Sequence, residues 1–293
     1  MSQAGIPDSH GAAGKPRSAL KQRVLTAVVL VPILLGAMFL LPGIAWQLLL
    51  CLPLVLASLE WSRLSKYSTV ARYAFTALLL VNALAFVFAF WSEGSVGLGE
   101  AVATLVLIPA LLFWAIAAPL WLYRGWRVTN PFILGVVGWL ILVPAWVAFV
   151  FLQRSPWMLL AIVLIIWIAD IAAYFAGRRF GRHKLAPQIS PGKTWEGVVG
   201  AFIAVIVYGF GVSFLVLPQA NAYDRIVMLI FVCALTVLGI VGDLFESWIK
   251  RTAGAKDSGN LLPGHGGMLD RIDSMTAALP FAALYYLWML TSA

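Results

Sequence analysis

The chain of 293 residues is 62% hydrophobic and 11% charged, with a mean hydropathy of +0.94, whereas soluble domains carry about 45–50% apolar and about 25% charged residues. Those proportions exclude an ordinary soluble protein; two cysteines and scattered Gly and Pro exclude a disulfide scaffold, collagen and a disordered chain. What remains is an all-α polytopic membrane protein, in which 20 Lys and Arg against 12 Asp and Glu report sidedness and anionic headgroups rather than nucleic acid.

Residues 1–20, rich in Gly, Ala, Ser and Pro, read as a flexible cytoplasmic tail. A cleaved signal peptide is the rival for the apolar run that follows, but the length of that run and the spans beyond it favour a retained helix. Charge at the bilayer centre costs about 2.5–3.5 kcal/mol on the insertion scale, so uncharged stretches locate the crossings. The 36 uncharged residues between Arg23 and Glu60 are too many for one span, and Leu41-Pro42-Gly43 divides them into two. Further spans are expected over 73–91, 101–123, 132–152, 155–177, 197–217, 226–242 and 274–290, making nine. With the N-terminus inside, 18 of the 20 Lys and Arg face the cytoplasm, and only Arg154 and Arg225 lie opposite. That split predicts a cytoplasmic N-terminus and an external C-terminus. Cys51 and Cys233 fall inside spans and read as small packing residues.

Polar residues gather in two segments on the cytoplasmic side, 177–197 and 242–273. Seven acids, six within these segments and Asp170 just before the first, interleave with cations, whereas a topogenic loop needs cations alone. Asp243 with Glu246, and Asp270 with Asp273, are spaced three apart and share a helix face. Carboxylates held close repel unless a cation sits between them, and hard oxygen ligands suit Mg²⁺ with substrate phosphates. The plainer alternative is a solvated helix end. Gly264-His265-Gly266-Gly267, lying between the pairs, lets backbone N–H groups approach an anion, although a helix cap and turn would use the same glycines. His265 has no second His or Cys nearby, which argues against zinc. Lys250, Arg251, Lys256 and Arg271 could neutralise a polyphosphate.

Ser190-Pro191-Gly192-Lys193-Thr194 invites comparison with a Walker A loop, but the required upstream glycine is Pro187. A tight Pro-Gly turn, then Lys-Thr, then a helix still suggests an anion-binding helix start. Asp170, inside an apolar span, is a functional candidate, with pairing to Arg178 or Lys193 as its structural alternative.

The segment SWIKRTAGAKDSGNLLPGHGGMLDRID, from Ser247 to Asp273, resembles the signature of the phosphatidate cytidylyltransferase (CDP-diacylglycerol synthase) family at every fixed position, and residues 170–197 are similar to the family pattern upstream. Motif-bearing similarity covers roughly the last 125 residues, and the first five spans match in character only. The resemblance implies CMP transfer from CTP to phosphatidic acid in a bacterial cytoplasmic membrane, with Mg²⁺ as cofactor and room for a second cation. It divides the chain into N-terminal helices over 21–153 and a catalytic membrane region over 154–293. It further implies Asp243, Asp270 and Asp273 as metal ligands, with Lys250 and Arg271 completing the catalytic set. Ser190, Lys193, Thr194, Ser247, Arg251, Lys256, Asp257, His265, Gly266, Gly267 and Asp170 would meet CTP or the lipid phosphate. Membrane lipids are the expected surroundings and a homodimer is left open. A secondary transporter of an anionic solute is the alternative, although its polar residues should flank the midplane on both sides. A CDP-alcohol phosphotransferase would need a D-G-x2-A-R run that is missing from the sequence.

Overall fold

The computed structural model describes residues 28–29, 31–91, 96–216, 219, 221–259 and 266–292. Among these, seven helical stretches are long and apolar enough to cross a membrane. They begin with α2 (Gly43–Leu64) and α3 (Thr69–Trp91). The third crossing joins α4 (Val96–Leu112), a π-helical turn (Phe113–Ala117) and α5 (Ala118–Arg124). Then come α6 (Pro131–Leu152), α7 (Pro156–Phe180), α8 (Trp195–Val216) and α9 (Ala222–Ala253). The chain is therefore a multi-pass helical membrane protein. The first expected span is represented by the short apolar helix α1 (Val31–Leu40), its earlier residues lying largely outside the described ones. The ninth falls on α10 (Leu269–Ser292), whose first turns carry Asp270, Arg271 and Asp273 and which is not among the seven.

Local chemistry sets the boundaries. Pro42 precedes α2 with φ −59° and ψ 151°, an extended conformation that separates α1 from α2 where the sequence predicts a turn. Asn130 caps α6, its side chain accepting from the backbone N–H groups of Phe132 and Ile133 with Pro131 at the first helical position. Helix α9 opens with a capping box between Asn221 and Asp224 and ends at Gly254, whose φ of +79° only glycine adopts at low cost. Its 32 residues span about 48 Å, against a hydrocarbon thickness of about 30 Å, so one end must project from the membrane.

Helix α6 is the most buried element: Ile141, Leu142, Val147, Ala148, Phe151 and Leu152 lie in the core, and α10, α4 and α2 pack around it. Helix α9 packs on α10 and α8, and α8 on α7. Gly242 permits the close α9–α10 approach, since a Cβ there would lie 2.6 Å from the Asp273 carbonyl oxygen. Phe245 meets Phe113, Trp114 and Trp121 edge-on at 5.3, 5.7 and 5.5 Å between ring centroids, so the π-helical turn sits against α9 just beyond Asp243 and Gly242. Trp121 and Trp248 both donate their indole N–H to the Trp126 carbonyl, at 2.8 and 2.9 Å, fixing the α5–α6 connection to the end of α9. Exposed Val81, Phe88, Ile203 and Val207 on α3 and α8 are apolar surface suited to acyl chains.

Between α7 and α8 the chain forms an antiparallel hairpin of β1 (Lys184–Ala186) and β2 (Ser190–Thr194), pairing Lys184 with Thr194 and Ala186 with Ser190. The turn expected at Pro191-Gly192 is instead extended strand. Reversal occurs at residues 187–189, closed by the Ile189 N–H on the Ala186 carbonyl at 3.1 Å.

Candidate active site

The C-terminal turns of α9 place Asp243, Glu246, Ser247 and Lys250 three or four residues apart, and therefore on one face of the helix. That face meets β2 of the hairpin and the first turns of α10, and two charge groups result.

In the first group, the Lys193 ammonium on β2 pairs with Asp243 at 2.5 Å, both side chains about a quarter exposed, and Ser247 Oγ stands 3.4 Å from the other Asp243 oxygen. Asp273 on α10 and Asp170 on α7 lie near enough to Asp243 for the carboxylates to repel one another, with Lys193 the cation that offsets them. One Asp273 oxygen accepts from the Ser274 N–H at 2.7 Å. Three helices thus bring three acids within electrostatic range of one another, with Lys193 as the cation that offsets them.

In the second group, buried Lys250 lies 2.5 Å from Asp270 and 3.1 Å from Glu246. The second Asp270 oxygen accepts from the Ser258 N–H at 2.9 Å, Ser258 Oγ at 2.9 Å and the Gly267 N–H at 2.8 Å. Burial opposes ionisation of Asp270, but those hydrogen bonds and the ammonium prevail and hold its carboxyl below the ordinary range. Apart from the Lys250 ion pair, the buried Glu246 oxygens have no hydrogen-bond donor among the described residues, and Glu246 lines a small cavity together with Trp61, Trp114 and Asp273 among others. Among the described residues, Lys250 is the cation paired with both of these buried acids.

A third feature escaped sequence reading. Glu60, at the end of α2 and 3% exposed, turns its carboxylate to the start of α10. One oxygen accepts from Met268 N–H at 2.9 Å; the other accepts from Leu269 N–H at 2.9 Å and Ser258 Oγ at 2.8 Å. Its only sequence signal is an acid in the otherwise cationic connection that carries Arg63, Lys66 and Arg72.

The remaining expected residues fall into place around these groups. Ser190 opens β2, and the Thr194 hydroxyl is buried and accepts from the Gly197 N–H at 3.1 Å, capping α8 rather than facing the cleft. Arg251 donates to the Ile189 and Ala255 carbonyls at 3.3 and 3.0 Å, tying the hairpin turn to the end of α9. Lys256 and Asp257 are exposed in the following loop, and Arg271 is exposed on the first turn of α10. Gly266, at φ +79°, and Gly267 flank Asp270. His265 lies outside the described residues. His183 and Glu196, which sequence reading left without a role, bond at 2.7 Å and fasten the start of the hairpin to α8.

The metal set expected from sequence, Asp243, Asp270 and Asp273, divides between the two groups because Lys250 reaches Asp270 across the α9–α10 contact. Among the described residues no three His, Cys, Asp or Glu side chains are assembled as a metal group. Carboxylates within electrostatic range of one another, with Lys193 the cation that offsets them, nevertheless fit Mg²⁺, which usually takes one or two carboxylates and completes its shell with water and substrate phosphate.

A family description, the cytidylyltransferase family, matches residues 21–289, so the similarity includes the N-terminal helices as well as the signature. The chain is 42% identical over 283 residues to a phosphatidate cytidylyltransferase of Pseudomonas aeruginosa, covering 92% of this chain and 97% of that one. It is 36% identical over 297 residues to a phosphatidate cytidylyltransferase of Haemophilus influenzae, covering 92% and 100%. Over 124 residues it is 48% identical to the protein of that name from Brucella suis, 42% of this chain and 43% of the other.

Proposed function

The chain belongs to the cytidylyltransferase family, and from that premise we propose that it transfers CMP from CTP to phosphatidic acid, leaving CDP-diacylglycerol in the membrane. The observation that carries this reading is the convergence of Asp170, Asp243 and Asp273 from three helices beside Lys193, next to the buried Lys250 cluster. The charge split assigns that end of the helices to the cytoplasm, where a lipid headgroup and a water-soluble nucleotide can meet.

A lipid phosphate oxygen attacks the α-phosphorus of CTP, and the bond to the bridging oxygen of pyrophosphate breaks. The nucleophile is already anionic, so the protein's task is to offset repulsion and orient the reactants rather than to remove a proton. Lys193, partly exposed, exchanges its contact with Asp243 for a substrate phosphate. Asp243 and Asp273 are the residues that would hold Mg²⁺, with Asp170 beside them. The metal would supply Lewis-acid stabilisation of charge building on the phosphate oxygens. Asp270 fixes Lys250 toward the leaving group, while Arg271 and Lys256 stand exposed to meet the nucleotide. Ser247 keeps Asp243 oriented.

The same reading places nine spans in a bacterial cytoplasmic membrane, with α1 in the first, α10 serving as the ninth, and the N-terminus inside. A homodimer is compatible with it. Purified protein given CTP, phosphatidic acid and Mg²⁺ should form CDP-diacylglycerol and pyrophosphate in equal amounts. Failure to form a CDP-lipid at any Mg²⁺ concentration would overturn the assignment.

A further inference from the structure

We propose that Glu60 is a positioning residue of the reaction: from the N-terminal half of the chain, its buried carboxylate clamps both ends of the signature loop and so sets the places of Asp270 and Lys250. The inference rests on the cytidylyl-transfer reading and deepens it. Glu60 accepts from Ser258 Oγ on the near side of the loop and from Met268 and Leu269 N–H on the far side. Asp270 grips the same two sides, through Ser258 and Gly267. Ser258 Oγ lies within bonding distance of both carboxylates but has one proton, so the two acids share a donor. From Asp270 the chain of contacts runs directly to Lys250.

The surroundings are shaped to this carboxylate. A Cβ on Gly259 would stand 2.7 Å from one Glu60 oxygen, and a Cβ on Gly267 would collide with Ser258 Oγ and the other Glu60 oxygen. Two glycines of the signature thus leave room for a side chain about 200 residues away in sequence, and the backbone N–H groups at the start of α10 meet a full negative charge. A residue needed only to end α2 would require neither provision.

The test uses full-length purified protein, with kcat, KM for CTP and thermal midpoint measured together. Glu60→Gln keeps the shape but turns an amide NH₂ toward backbone or hydroxyl donors. It should lower the thermal midpoint, because buried donors lose an acceptor, and lower kcat per folded molecule at least about tenfold, because a misplacement of about 1 Å costs about a hundredfold. Should that variant fail to fold, Gly259→Ala and Glu60→Asp decide. Gly259→Ala crowds Glu60, whose side chain supplies the nearest atoms, whereas Glu60→Asp withdraws the carboxylate by one methylene. Each should lower kcat, and the double variant should be no slower than Glu60→Asp alone. Wild-type kcat and KM in Glu60→Gln, a lowered yield of folded enzyme at unchanged kcat per folded molecule, or losses that multiply in the double variant would each overturn the inference. An inactive wild-type protein in the same assay would instead sink the transfer reading.

Discussion

Lys250 and Lys193 are both paired cations on one site, yet burial makes them differ in kind. The Lys250 side chain is 9% exposed, against 7% and 9% for Glu246 and Asp270, so its removal leaves two acids in low dielectric without compensation. Lys250→Ala should therefore destabilise the protein by about 3–5 kcal/mol, readable as a large fall in thermal midpoint. Lys193, a quarter exposed, contributes little to stability. Lys193→Ala should fold normally with KM for CTP or phosphatidate raised or kcat lowered, and wild-type kinetics would exclude a phosphate contact. The two α10 acids should separate likewise. Asp273→Asn should lower turnover by orders of magnitude with a shifted Mg²⁺ dependence, whereas Asp270→Asn should lower it through Lys250 with the Mg²⁺ midpoint unchanged. A Mg²⁺ titration of both variants decides, and identical shifts would return Asp270 to the metal. Lys250 and Asp270 were singled out in sequence because both lie within the 247–273 signature, but their pairing, and that of Asp243 with Ser247, comes from the structure. Glu60 was not legible, because its bonds reach across 198 to 209 residues and leave no local pattern. Nor was the capping role of Thr194, whose hydroxyl could equally have faced a phosphate.

At the scale of elements, uncharged length located the helices well: the runs from Glu60 to Asp243 fall on α3 to α9, and Pro42 marks a boundary as expected. The hairpin between α7 and α8 was hidden because its strands are three and five residues long, and because Pro-Gly is commoner in turns than in strands. The π-helical turn was equally hidden, since nothing in Phe113–Ala117 distinguishes it from α-helix before Phe245 packs against it. Asn130 offers a test of an element far from the chemistry. Asn130→Ala removes the acceptor for two orphan N–H groups of α6 and should cost about 1 kcal/mol. A lowered thermal midpoint with unchanged KM for CTP is expected; altered kinetics would mean that α6 is coupled to the site beyond its packing.

At the scale of the whole molecule, orientation is an inference from charge, and it predicts chemistry at defined positions. In a variant lacking Cys51 and Cys233, an impermeant thiol reagent added to intact cells should label a cysteine placed at Ser95 and spare one at Ser190. Labelling from outside at position 190 would defeat the orientation and the cytoplasmic site together.

The clamp of Glu60 on the start of α10 also imposes an order in time. At about 5–20 residues per second, the 209 residues from Glu60 to Leu269 take about 10–40 s to synthesise. Throughout that interval α2 is made but its terminal carboxylate lacks its partners. The nascent enzyme must keep that charge hydrated at the membrane surface until α10 arrives, so the reaction centre closes only once the start of α10 has been made.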